Sequence, residues 1–106
     1  MSDFERVITD ALRLFGWRFV HQRPAQTARG WRTALTGDRG FPDFVAVRGS
    51  RLMFIEVKGD TGYPDAEQRV WGQALEATGA EYHVWRPKDW DAVKHLLAPD
   101  GVEVIG

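Results

Sequence analysis

GFPDFVAVRGSRLMFIEVKG, residues 40–59, is the stretch from which the rest of the chain is read. Two strand-like runs flank Gly49-Ser50, and Gly at the first central position followed by Ser suits a two-residue hairpin turn. A hairpin folded symmetrically about that pair sets Asp43 directly opposite Glu56, with Cβ atoms about 4.5–5.5 Å apart. Period-2 alternation puts Phe54, Glu56 and Lys58 on one face of the second strand and Met53, Ile55 and Val57 on the other. Two carboxylates and an ammonium group thus converge on an otherwise apolar sheet. Like charges facing each other destabilise a ladder; a divalent cation such as Mg²⁺, which selects clustered hard oxygen ligands, would resolve the conflict. The competing reading is a charged edge strand with Glu56 and Lys58 solvated.

The 106 residues make one domain with a single core. The absence of cysteine excludes a disulfide framework, a thiolate zinc site and a cysteine nucleophile. No run approaches membrane-spanning length and the start lacks a signal-peptide pattern, so the expectation is a cytoplasmic protein without a membrane partner. Net charge is −1, but its distribution is uneven. Arg18, Arg23, Arg29, Arg32 and Arg39 crowd the segment before Phe41, whereas acids dominate after Gly59. An arginine-rich stretch beside a carboxylate site could hold a phosphate backbone.

Phe4, Val7, Ile8, Ala11, Leu12 and Phe15 recur at helical spacing, so residues 3–15 should form an amphipathic helix ended by Gly16. Ser2 and Glu5 have capping-box spacing, which supplies Glu5 with a structural job. Residues 17–22 alternate as a first strand, stopped by Arg23-Pro24. Residues 24–40 read as a long loop with no element of its own, of the kind that is usually functional. In it Arg29 and Arg32 flank Trp31, suggesting backbone and base contacts to nucleic acid; the alternative is a Trp31 that anchors the loop on the core. Pro64 or an Asp65–Gln68 capping box starts a second helix, ending at Gly79, whose Gln68 points at the sheet and needs a partner. Glu81–Arg86 is a further strand, Asp89 caps a short helix through Leu97, and Val102–Ile105 could add a last edge strand. His21, His83 and His95 lie on different elements without ligand spacing and read as structural or surface residues. The order is that of an α/β (α+β) fold, a mixed sheet with helices packed on it.

Pro42-Asp43, a hairpin and then Glu56-Val57-Lys58 resemble the PD-(D/E)XK nuclease signature on its restriction-endonuclease-like αβββαβ core. Gly40-Phe41-Pro42-Asp43, Phe54 to Gly59, Glu67-Gln68-x-x-Trp71 and Tyr82 to Pro87 together resemble the VRR-NUC branch, small stand-alone members of which occur in bacteria and phages. The resemblance runs from the first helix to about Leu97. It implies that Asp43, Glu56 and the Val57 backbone carbonyl ligate Mg²⁺, with Mn²⁺ able to substitute. It implies that Lys58 orients the attacking water and stabilises the scissile phosphate, and that Gln68 contacts the active site. Glu5 aligns with the first-helix acid that often completes the metal site. The reaction needs such a set, because an anionic phosphodiester must be neutralised and its attacking water acidified. The implied products are a 5′-phosphate and a 3′-hydroxyl.

The expectation is therefore a DNA endonuclease of the Holliday-junction-resolving type, acting as a homodimer, because a four-way junction needs two symmetric nicks. Trp17, Trp85 and Trp90 are candidate dimer contacts. Arg23, Arg29, Trp31, Arg32 and Arg39 are the candidate DNA contacts, with Arg86 and Lys88 possible phosphate partners. The rival readings are a flap, restriction-like or repair nuclease, a non-cutting nucleic-acid-binding module, and an α/β domain whose charged hairpin is merely solvated.

Overall fold

Ser2 opens α1 (Asp3–Leu14) with a reciprocal capping box. The Ser2 hydroxyl accepts from the Glu5 N–H, and the Glu5 carboxylate accepts from the Ser2 N–H, both at 3.2 Å. The computed structural model describes residues 2–22, 25–27, 30–32, 36–100 and 104. Gly16, at φ +80°, turns the chain out of α1 and into β1 (Arg18–His21). There follow β2 (Ala25–Thr27), β3 (Gly30–Arg32), β4 (Phe44–Arg48), β5 (Arg51–Val57), α2 (Ala66–Ala77), β6 (Glu81–Trp85), a 3₁₀ turn at Pro87–Asp89 and α3 (Trp90–Leu97).

The main sheet runs β1-β4-β5-β6, antiparallel up to β5 and parallel between β5 and β6. This is the expected α+β architecture, a mixed sheet flanked by helices. The hairpin register is the symmetric one: Phe44 pairs with Ile55, Ala46 with Met53 and Arg48 with Arg51. Gly49 has φ +60° while Ser50 stays at negative φ, the signature of a type II′ turn.

Register sorts the side chains onto two faces. Phe44, Ala46, Met53, Ile55 and Trp85 bury one face against Ile8 and Leu12 of α1 and Val93 and Leu97 of α3. The other face meets α2, whose Gly72 lies where a Cβ would come within 2.6 Å of the Tyr82 ring. Parallel pairing needs a crossover connection, and α2 supplies it between β5 and β6.

Three expectations change here. The segment 24–40 is not elementless: β2 and β3 form an antiparallel ribbon, with Gln26 opposite Trp31. Three-residue strands are too short to show alternation, so only cross-strand pairing reveals them. Trp17 and Trp85 are not exposed dimer contacts but buried core residues, and Trp90 packs against the same core. Asp89 precedes α3 without a side-chain cap; its carboxylate accepts instead from the Arg86 N–H at 2.9 Å. Val102, Glu103 and Ile105 of the expected edge strand lie outside the described residues, and Val104 is not in a strand.

Candidate active site

Pro42 is buried, and Asp43 follows it one position before β4, on the face of the sheet that Glu56 also occupies. One oxygen of the Asp43 carboxylate accepts from the Val57 N–H at 2.8 Å, tying the first strand's entry to the second strand's exit. Glu56 is only 2% exposed. Its Oε1 accepts from the Gln68 amide at 3.3 Å, while its Oε2 is buried with no hydrogen-bond donor among the described residues. Burial first, and then the neighbouring Asp43 carboxyl, push the Glu56 carboxyl up to about 9, against the opposing pull of the Lys58 ammonium. Two acceptors pressed together in this way need a proton or a cation between them.

Gln68 is placed by two bonds at once. In the capping box of α2 its Oε1 accepts from the Asp65 N–H and its N–H donates to the Asp65 carboxylate, both at 2.9 Å. Its amide nitrogen is then aimed at Glu56, which is the partner that a sheet-facing Gln required. Lys58 leaves the end of β5 half-buried, with its backbone N–H on the Trp85 carbonyl at 3.0 Å.

Gly40 holds this arrangement together in a way the sequence does not reveal. At φ +97° it lies so close to the start of α2 that a Cβ would fall 2.6–2.7 Å from the Glu67 and Gln68 backbone. The Gly-Phe-Pro-Asp segment therefore presses on the first turn of the helix that carries Gln68. Phe41 completes the seam, edge-on to Phe54 and to Trp71 at 5.9 and 5.0 Å.

The structure does not bring Glu5 into that group. Helix α1 packs on the opposite face of the sheet, where Glu5 Oε2 lies 2.8 Å from Nε2 of the nearly buried His21. That nitrogen has no other polar partner among the described residues, and its ring stacks on Phe44 at 4.0 Å. Burial alone would raise the Glu5 carboxyl, but the bonds to Ser2 and the His21 charge outweigh it and hold the value below the ordinary range. Among the described residues, no three His, Asp or Glu side chains gather as a metal cluster. The acidic site is a pair.

Of the expected DNA contacts, Arg39 is exposed beside the site. Trp31 and Arg32 are placed on β3 by register, opposite Gln26 and Ala25, whereas Arg23 and Arg29 lie outside the described residues. Arg86 donates to the Gly62 carbonyl at 2.9 Å and stacks 4.9 Å from the ring of Tyr63, which is 78% exposed. Lys88 is anchored by its backbone N–H on Asp60. Nothing in the sequence around Tyr63 marks it; only the fold sets Arg86 against its ring.

The αβββαβ core with Asp43, Glu56 and Lys58 at one sheet end defines a protein of the PD-(D/E)XK nuclease-like class. No family model matches the sequence. It is 32% identical over 101 residues to UPF0102 proteins of Brucella canis, Brucella suis and Brucella melitensis, an overlap of 95% of this chain and 71% of each relative. The chain belongs to the UPF0102 family, also called YraN, of the PD-(D/E)XK nuclease-like superfamily. The narrower likeness to VRR-NUC proteins rests on the motifs alone. No helix among the described residues is long and apolar enough to cross a membrane.

Proposed function

We propose that this protein is a divalent-metal-dependent DNA endonuclease whose centre is Asp43, Glu56 and Lys58. The observation that carries the reading is Glu56, a buried carboxylate with one orphaned oxygen, set beside a second carboxylate on the face that also bears an ammonium group. A structural ion pair would leave no such acceptor unmet. The donor set fits Mg²⁺, which is commonly held by one or two carboxylates and otherwise keeps its waters. Asp43, Glu56 and the Val57 carbonyl would hold the ion, with Mn²⁺ an acceptable substitute. When bound, it would neutralise the phosphodiester and acidify the attacking water.

The chain's own groups do the rest. Gln68 fixes the Glu56 carboxylate, and the Val57 amide fixes that of Asp43. Lys58 faces the same patch and supplies positive charge where it develops on the scissile phosphate. Water adds to phosphorus, the bond to the 3′ oxygen breaks, and that oxygen takes up a proton. A 5′-phosphate and a 3′-hydroxyl result. The reaction does not require Glu5, which is engaged by Ser2 and His21.

Branched DNA is the substrate class to test first, four-way junctions above all, on the strength of the VRR-NUC motif likeness; flaps and linear duplex are the comparison substrates. The decisive experiment is a cleavage panel on these DNAs with Mg²⁺, with Mn²⁺ and with neither. Asp43→Asn and Lys58→Ala are each expected to lower cleavage by about 10²–10³-fold or more while retaining DNA binding. Cleavage persisting in both variants would remove the site assignment. Binding without cleavage by the unaltered protein would favour a non-cutting binding module.

A further inference from the structure

A groove lies between the 37–39 segment and the face of α2 that carries Trp71. It has a volume of about 520 Å³ and is lined by Arg39, Glu67, Val70, Trp71 and Ala74 among others. A second hollow of about 390 Å³, reaching Gln22 and Phe41, shares the Trp71 ring as a wall. Such volumes are those of small-ligand sites. The indole is held still: its Nε1–H donates to the Asp38 carbonyl at 3.2 Å and Phe41 packs edge-on against it. With its one polar group already engaged, Trp71 can offer a ligand only its π-face. The surrounding groups narrow the choice. Val70 is 65% exposed and gives an apolar rim, exposed Arg39 offers a cation, and Glu67 offers an acceptor. A carboxylate would repel a phosphate inside the groove but accepts from the exocyclic amines of bases.

The groove neighbours the site. Trp71 is one helical turn along α2 from Gln68, a rise of about 4.5 Å, and Gln68 holds Glu56. On the other wall, the Gln22 N–H donates to the Asp43 carbonyl at 2.8 Å. We propose that the Trp71 groove is a base-binding subsite. It takes one unpaired nucleobase next to the phosphate to be cut, stacked on the indole, with the flanking backbone on Arg39. A base inside a duplex has both faces covered by its neighbours, so the subsite selects DNA where strands part, such as a fork, flap or junction crossover. The inference deepens the nuclease reading and rests on it for the word cut, though not for the word bind.

The test measures affinity by fluorescence anisotropy, without divalent metal, for a 12-nucleotide single strand, a forked duplex and a continuous duplex. Base–aromatic stacking contributes about 1–3 kcal/mol per base, so Trp71→Leu should weaken single-strand and fork binding by about 5–150-fold. Duplex binding should change by less than about twofold, and Trp71→Phe should keep most of the preference because it keeps an aromatic face. Should Trp71→Leu fail to fold by circular dichroism, the exposed Arg39→Ala serves instead, with a smaller loss on the same two substrates. A folded Trp71→Leu or Arg39→Ala that binds all three DNAs as before, or that loses all three equally, overturns the subsite. The two readings separate cleanly. Wild-type cleavage with an unchanged strand preference in the Trp71 variant sinks the subsite and leaves the nuclease. Trp71-dependent strand binding without cleavage in Mg²⁺ or Mn²⁺ upholds the subsite and sinks the nuclease.

Discussion

At the scale of the single residue, Glu56 dominates, because folding makes its charge expensive. An ordinary carboxyl near 4.5 is moved to about 9, so the folded state holds a proton that the unfolded chain releases. The stabilisation tied to that proton is fully present below pH 4.5 and is lost progressively as pH rises through 9. In chelator, wild-type stability should fall across this window relative to Glu56→Gln, which keeps the shape and the Gln68 contact without the charge. A move from 4.5 to about 9 corresponds to about 6 kcal/mol at most, and the difference between pH 5 and 9 should be at least ~2 kcal/mol, about 8 °C or more in melting temperature for a domain of this size. Thermal melts of both proteins at pH 5, 7 and 9 measure it. Millimolar Mg²⁺ should raise the melting temperature of wild type at pH 8 and leave that of Glu56→Gln unmoved. Parallel pH curves for the two proteins would show that Glu56 is solvated after all.

Between elements, two contacts of different kind separate site assembly from simple stability. Gly40 touches backbone at the start of α2, which cannot swing aside, and its φ of +97° is strained for any L side chain. Gly40→Ala should therefore cost about 2–4 kcal/mol, with cleavage lost even in the fraction that stays folded, because Gln68 is displaced from Glu56. The far end of the sheet works by another device. The last carbonyls of α3 are met by side chains: Trp17 Nε1 and Arg48 donate to Leu97 at 2.8 and 2.7 Å, and Arg51 donates to Leu96 at 3.1 Å. Both arginines lie over the Trp17 ring, and Arg51 is further held by a bidentate pairing with Glu81. Trp17→Phe removes one of the two donors on the Leu97 carbonyl, leaves it the Arg48 guanidinium, and should cost about 0.5–1.5 kcal/mol by denaturant melts. Cleavage by the folded protein should not change, since α3 ends far from Glu56 along β5 and β6. A Trp17→Phe protein with normal stability but lost cleavage would reverse this division of labour.

For the whole molecule, the proposed nicking of a junction at two symmetric points would call for two copies of the chain. Sedimentation should report about twice the 12.1 kDa chain mass; a monomer at high concentration would point to a nicking or flap-cutting enzyme. The buried tryptophans cannot form that interface. The apolar surface that remains includes Val20, Val47 and Leu52, exposed together on the sheet face where β1 and β4 extend beyond α2. DNA affinity should fall steeply with added salt, as phosphate contacts require, although net charge is only −1. On the proposed function, that attraction would come from the arginine-rich segment rather than from the molecule as a whole.

How much of this was legible beforehand depends on the range of the interaction. The Gly49-Ser50 turn and the period of two determined the hairpin register, and with it the meeting of Asp43 and Glu56. Both capping boxes, and the need of Gln68 for a partner, were likewise written in spacings of three residues. Those are local rules, satisfied within a turn or a ladder. Tertiary structure alone decided which face of the sheet each helix covers, and therefore that Glu5 meets His21 on one side while Gln68 meets Glu56 on the other. It also paired β2 with β3, buried Trp17 and Trp85, pressed Gly40 onto α2 and pinned Trp71 beside the site. Each of these depends on contacts between residues distant in sequence, and no periodicity records how two packed elements will approach.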